Sequence, residues 1–413
     1  MAKTVLVIGG GAAGMLASLF AARQGAQVVL LERNEKLGKK VYITGKGRCN
    51  VTNAAETREE FLLHVLRNPR FLYASLALID NNGLMDLLEN LGVPLKVERG
   101  NRVFPASDKS SDIIRALEKE LRRLRVDVRL NARVECLLVE DGVCRGVCLE
   151  NGSAIRADAV IVCTGGVSYP LTGSTGDGHA FARKLNLQVT DLMPALVPIN
   201  TVETWPSALS GLSLKNVALR AYRGKKRLFD EQGELLLTHF GLSGPLVLTL
   251  SSLLPADLSD VKLSIDLKPA LDDATLDARL LREFKENSRR SLGNVMDSLE
   301  PHSLALTLCE LAGLSPEKPV NAVTHEERTR LRQLIKDLPL TPASLRGFDE
   351  AIITRGGVSV KEINPSTLES KKVPHLYFAG EVLDLDATTG GFNLQIAFST
   401  GALAGAGAAR TEP

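Results

Sequence analysis

The apolar positions of the chain change period several times, and each change marks a different element. Val5-Leu6-Val7-Ile8 is an unbroken apolar run that feeds into Gly9-Gly10-Gly11-Ala12-Ala13-Gly14. An Ala- and Leu-rich helical pattern follows, then a second apolar run, Val28 to Leu31, closed by Glu32. This order predicts strand, tight turn, helix, strand. Helical spacing returns over Arg58 to Leu66 and over Asn82 to Leu91, where Gly92-Val93-Pro94 ends it. A further helix is predicted from a Ser110-Ser111-Asp112 cap through Ile113, Leu117 and Leu121 to Leu124. Val126 to Glu140 then alternates with period two, and turns at Asp141-Gly142 and Asn151-Gly152 make a β-meander of it. Ala159 to Cys163 reads as a buried strand running into Thr164-Gly165-Gly166, with a helix from about His179 to Leu185.

Beyond Val189 the pattern breaks into short strands. Val217 to Tyr222, Arg227 to Phe229, Leu235 to Thr238 and Val261 to Leu267 are the candidates, with Asp230 to Gly233 as a hairpin loop. From Ala274 to Leu338 the chain is helical and charged. The apolar strand then comes back at Val373 to Phe378, ends in Ala379-Gly380-Glu381, and is followed by a small-residue helix opening at Gly390-Gly391. The expected architecture is α/β: a Rossmann-like domain with a parallel sheet and a β-meander, built from residues 1–188 and 342–413. Residues 189–270 form an inserted β-rich substrate unit and 271–341 an inserted helical unit.

The first turn carries the clearest chemistry. Its glycines fit GxGxxG, with an acid eighteen residues past the last of them. Gly9 permits the turn, Gly11 lets a pyrophosphate approach the backbone, and Gly14 lets helix pack on strand. The helix aims unpaired N–H groups at the phosphates, and Glu32 suits a ribose diol. The stretch Leu37 to Asn53 reads as a loop in which Gly38, Gly45 and Gly47 sit among Lys39, Lys40, Lys46 and Arg48, a basic surface beside the diphosphate.

Composition narrows the function classes without naming one. The 413 residues are 44% hydrophobic with a net charge of +2, so nothing pushes the chain toward nucleic acid or membrane. The six cysteines show neither a CxxC pair nor zinc spacing, and no metal is expected. The longest apolar candidate, Leu235 to Leu254, is interrupted by His239, Gly241, Gly244 and Pro245. A cytoplasmic protein with no membrane partner is expected, with the oligomeric state open.

These pieces resemble the FAD-binding architecture of the glutathione-reductase-like superfamily, whose three cofactor motifs match the first turn with Glu32, the Cys163–Gly166 strand end, and Ala379-Gly380-Glu381. More narrowly, GKGRCNVTN (45–53), GNRVFPASD (100–108), THFGLSGP (238–245), TRGGV (354–358) and the stretch from Gly380 to Gly401 are similar to one bacterial flavoprotein family, described as aminoacetone oxidase, BaiN-like or YhiN-like. The resemblance implies FAD as cofactor. It implies that Gly9, Gly11, Ala13 and Gly14 cradle the pyrophosphate, that Glu32 holds the adenosine ribose, and that Val134 meets adenine through its backbone. Lys40, Gly45, Gly47, Arg48, Cys49 and Asn50 would line the diphosphate, ribityl chain and flavin edge, and Thr164, Gly165 and Gly380 would belong to the same cradle. Glu381 stands where the superfamily has Asp and would reach the ribityl hydroxyls. Gly391, Phe392, Asn393, Leu394 and Gln395 would bring a helix N-terminus to flavin N1 and C2=O, where its dipole favours the anionic reduced ring.

The resemblance supports three substrate classes: a steroid or bile-acid enone, a uracil of ribosomal RNA, and a small aminoketone oxidised by O2. Reduction of an activated C=C bond, with NAD(P)H as a transient reductant, is the expected reaction on a small-molecule substrate. RNA is possible but not favoured, because charge is near balance and aromatics are 4%. A non-catalytic flavin scaffold is the remaining alternative. His239 and Tyr169 are the candidate proton donors, with Asp384 and Asp386 behind them.

Overall fold

The computed structural model describes residues 2–410, and the chain divides into two compact units, Met1–Ala195 with Phe348–Pro413, and Leu196–Gly347. The first is organised on a five-stranded, all-parallel sheet. Its strands are β1 (Thr4–Ile8), β2 (Gln27–Leu31), β3 (Asp127–Arg129), β4 (Ala159–Val162) and β5 (Leu376–Phe378), in the order β5-β4-β1-β2-β3. Val5 lies between Val28 and Ala159 in register, and β1 and β4 are buried on both faces, which is why their sequences are continuous apolar runs.

Two helices tie the ends of this unit together. α1 (Ala12–Arg23) follows β1, and α2 (Phe392–Ala409) closes the chain. A Cβ added at Gly401 would lie 2.2 Å from the Ala13 carbonyl oxygen, and one at Gly405 would lie 2.1 Å from that of Ala17. The helices therefore meet backbone to backbone, and α2 is buried around nearly its whole circumference, so it shows no amphipathic stripe.

Several expected elements differ in detail. The alternation over Val126–Glu140 is not one strand: β3 joins the parallel sheet, and Val134–Glu140 starts the antiparallel meander with Val143–Leu149 and Ala154–Arg156. Asn131, at φ +52, interrupts the extended backbone between them. The expected loop Leu37–Asn53 contains a helix, Lys39–Ile43, a 3-10 turn, Thr44–Gly47, and a short strand, Thr52–Asn53. Ser110 does not cap its helix: Ser110–Arg123 starts after Lys109, and the Ser110 hydroxyl donates to the Tyr42 carbonyl.

The second unit carries a seven-stranded antiparallel sheet with helices packed on it. Its central hairpin pairs Ser213–Arg223 with Lys226–Thr238. The turn falls at Gly224, φ +55, not at Asp230–Gly233, which lie within the second strand. There Asp230 stands opposite Arg220 and 3.4 Å from its Nε, so the acidic run decorates a strand and does not break it. Helices such as Asp273–Glu286 and His325–Lys336 share one apolar core with the strands, through Leu219, Ile265, Leu280 and Leu331 among others. Leu338–Leu340 and Pro342–Leu345 then return to the sheet.

Candidate cofactor site

The turn from β1 to α1 has the form a dinucleotide requires. Gly9 takes φ +99, and a Cβ there would be 2.5 Å from the Cys163 carbonyl oxygen; one at Gly14 would be 1.8 Å from that of Gly9. At Gly11, by contrast, an added Cβ would meet nothing within 4 Å. The open space lies at the head of α1, whose first turn holds no acid and whose first N–H groups lack helical acceptors. Glu32 is buried and holds this turn: Oε2 accepts from the Gly10 N–H at 2.7 Å, and Oε1 accepts from the Asn34 backbone and side-chain N–H groups at 2.8 and 2.7 Å. The Ala132 N–H donates to the Glu32 carbonyl, which draws the start of the Val134 strand alongside the acid.

Glu381 joins four separate stretches of chain. Lys40 Nζ lies 2.7 Å from its Oε2, while Ser168 Oγ and the Thr354 N–H donate to Oε1 at 2.9 and 2.8 Å. Lys40 also donates to Ser168 at 2.6 Å, so its charge is fixed on Glu381 and does not stand alone beside the diphosphate. Burial works to raise the Glu381 pKa, but the Lys40 ammonium and the hydrogen bonds outweigh it and hold the carboxyl below its usual range. Gly380, at φ +81, donates its N–H to Thr400 Oγ1, and a Cβ there would sit 2.8 Å from that of Ala13. Gly165 takes φ +72 against Ser174, and Tyr169, at φ +50, donates its N–H to the Phe348 carbonyl. Ser168, Thr354 and Thr400 were not singled out in the sequence; hydroxyls that receive or give single bonds in loops carry no periodic signal, although Thr354 lies in the TRGGV stretch.

Around Arg48 the arrangement is less open than expected. Its Nε donates to Asp108 at 2.7 Å, its Nη2 lies 2.5 Å from Glu98, and the guanidinium stacks 4.1 Å over Phe104. Cys49, at φ +60, is fully buried, and burial pushes its thiol up to about 12, which favours the protonated thiol. Gly45 and Gly47 have φ of +56 and +85.

The head of α2 offers backbone, not side chains. A Cβ at Gly391 would lie 2.2 Å from the Thr52 carbonyl oxygen, and no acid stands in the first turn. Phe392 stacks on His64 with centroids 4.3 Å apart. Asn393 exchanges hydrogen bonds with the Ala387 backbone at 2.9 Å in both directions. Gln395 accepts from Thr52 at 2.6 Å and donates to Ser399 at 2.9 Å, while Leu394 is half-buried. These side chains shape the turn and leave its N–H groups for a ligand. Beside it, Arg67 Nη1 lies 2.6 Å from both oxygens of the buried Asp386, and burial raises the nearby Asp384 carboxyl. His239 belongs to the second unit, exposed between two strands, its ring edge-on to Phe240.

FAD fits the first unit on three of its own observations. Two acid-free helix heads open on glycine turns, the space before Gly11 is clear, and the buried Asn50 Oδ1 and Thr164 Oγ1 have no protein partner. Among the described residues no group of three His, Cys, Asp or Glu side chains could hold a metal, and no helix is long and apolar enough to cross a membrane.

Comparison with known proteins agrees with this geometry. The sequence matches the HI0933-like protein Rossmann domain over residues 3–407. It is 32% identical over 409 residues to 3-dehydro-bile acid delta(4,6)-reductase of Clostridium scindens, covering 98% of each chain. It is 30% identical over 400 residues to ribosomal RNA dihydrouridine synthase of Escherichia coli K12, covering 96% of this chain and 95% of that one. The fold resembles that of 3-ketosteroid-delta4-(5alpha)-dehydrogenase from Rhodococcus jostii RHA1, at a TM-score of 0.54 and 17% identity, covering 99% and 97% of the two chains. The chain belongs to the HI0933-like Rossmann-domain family and is an FAD-dependent oxidoreductase.

Proposed function

We propose that the protein reduces an activated C=C bond of a small enone, of the steroid or bile-acid kind, with NAD(P)H as the transient electron source. The observation that carries this reading is the end-to-end similarity to a reductase of 3-dehydro-bile acids. FAD, when bound, would supply the hydride for reduction of the electron-poor alkene. The chain's own work is to hold and orient. The N–H groups at the head of α1, around Gly11 and Ala13, take the diphosphate, and Glu32 and the Val134 backbone take the ribose and adenine. Glu381, kept ionised by Lys40, accepts from the ribityl hydroxyls. The head of α2, at Phe392 to Gln395, would hold the flavin's pyrimidine edge, its dipole favouring negative charge there. Arg48 and Asn50 would border the cofactor, where Asn50 Oδ1 would find the partner it lacks in the protein. Tyr169, one residue from Ser168, is the first unit's candidate for the proton that would complete alkene reduction. The buried Cys49 argues against a dithiol mechanism.

A second reading, reduction of a uracil base in ribosomal RNA, is favoured by two relatives at 30% and 29% identity; it uses the same hydride flow onto a different alkene. Anaerobic titration of the holoenzyme separates the possibilities. Bleaching of the flavin by NADH or NADPH, followed by reoxidation with a 3-oxo-Δ4 steroid and not with ribosomal RNA, is the expected result. Reoxidation by the RNA alone would establish the second reading. Bleaching by aminoacetone with peroxide release in air would replace both.

A further inference from the structure

The β-meander of the first unit brings two cysteines face to face. Cys136 and Cys148 are register partners on neighbouring antiparallel strands, Val134–Glu140 and Val143–Leu149. Both are free thiols and both are half-buried, whereas Cys49, Cys144, Cys163 and Cys309 are buried. Residues directly opposite in such a ladder have Cα atoms about 4.5–5.5 Å apart, inside the range of about 4.4–6.8 Å that a disulfide spans. Register shifts flank the pair, between Val134 and Cys136 and between Leu138 and Val139, and give the strand local freedom to close the gap. On its other side Cys148 stands opposite Ala154, a small, exposed residue that leaves the sulfur open to a small reagent.

We propose that Cys136 and Cys148 form an oxidation-sensitive dithiol, closed to an intramolecular disulfide by hydroperoxides and reopened by thiols. One thiol sulfur takes the terminal oxygen of hydrogen peroxide to give a sulfenic acid, releasing water. The other sulfur displaces that hydroxyl, which leaves with the second thiol proton as another water, so two thiols and one peroxide give one disulfide and two waters. The neighbouring Cys136 thiol is the main cause that raises the Cys148 thiol, as expected of two sulfurs facing each other across the ladder. What keeps Cys49 and Cys309 out of the reaction is access, since both are fully buried and a peroxide cannot reach them. The bond would cross the hairpin two residues beyond Val134, on the strand assigned above to adenine.

The test treats the holoenzyme with hydrogen peroxide, blocks remaining thiols by alkylation, and maps disulfides by fragment-resolved mass spectrometry without reduction. A Cys136–Cys148 link is expected, reversed by dithiothreitol, absent from Cys136→Ser and Cys148→Ser, and kept in Cys144→Ala. These two sites should lose free thiol at least about tenfold faster than Cys49 and Cys163. Separate sulfinic acids without a link, a Cys144–Cys148 bond in its place, or equal reaction at the buried cysteines would overturn the proposal.

Discussion

At Gly11 the backbone takes φ −80, which any residue accepts, and an added Cβ meets nothing within 4 Å. Neither the backbone nor packing within the chain demands glycine here, as the proposed approach of a diphosphate would. Gly14 is the opposite case, because a Cβ there would press 1.8 Å from the Gly9 carbonyl oxygen. This contrast separates binding from folding. Gly11→Asp should leave the apoprotein's melting temperature within a few degrees of the parent, because surface changes without lost contacts cost about 0.5 kcal/mol or less. It should nevertheless yield colourless protein, since a carboxylate would stand where a diphosphate must lie. Gly14→Ala should lower the melting temperature sharply before any question of cofactor arises. Parallel melting curves and flavin absorbance on both variants check the pair of outcomes; a yellow Gly11→Asp protein would remove the diphosphate from this turn.

Between elements, one ion-pair group is positioned to anchor α1 from outside the sheet. Glu120, on the helix Ser110–Arg123, lies 3.1 Å from Arg23 at the end of α1 and 2.7 Å from Arg123. The Arg123 hydrogen bond first, against the cost of burial, and then Arg23 lower its carboxyl to about 2 from an ordinary 4.5. A carboxyl lowered on folding adds stability that is complete above its ordinary pKa and fades as pH falls toward the folded value. Because both arginines are partly exposed, the shift is discounted for solvent screening to about 1–2 kcal/mol. Glu120→Gln should thus weaken the protein by that amount at pH 7, with the gap to the parent narrowing between pH 5 and pH 3. Urea unfolding across that range measures it; a gap independent of pH would show that packing, not charge, holds the contact.

On the scale of the whole molecule, the groups proposed to hold FAD belong to the first unit, whose residues lie at both ends of the sequence. Ala195 and Ile353 are register partners in a short antiparallel pair, so the chain leaves that unit and re-enters it at neighbouring points. Replacing residues 196–347 by a short Gly/Ser linker should accordingly give a protein that still takes up FAD. Its steady-state rate with the proposed enone should fall below the parent's. Flavin content and steady-state rate, read on the same preparation, decide both halves. A linker variant that folds yet takes up no FAD would mean that the second unit helps hold the cofactor.

Much of the first unit was legible without coordinates because its signals are local. A glycine turn between an apolar run and a helix, an acid at the next strand's tip, and a late Gly-Glu strand end are each fixed by steric and electrostatic demands within a few residues. The same locality misled the reading elsewhere. Alternation could not reveal that Asn131 splits β3 from the meander, nor that the acidic run Asp230–Gly233 lies within a strand whose turn is at Gly224. The chain by itself determined the dinucleotide-binding turns and the kind of domain that carries them. Only the folded molecule decided that Lys40, Ser168 and Thr354 meet at Glu381, that Phe392, Asn393 and Gln395 turn inward, and that Cys136 faces Cys148. Those partners are distant or of ordinary composition in sequence, and what brings them together is burial of apolar surface across the whole sheet, a long-range effect that no short window records.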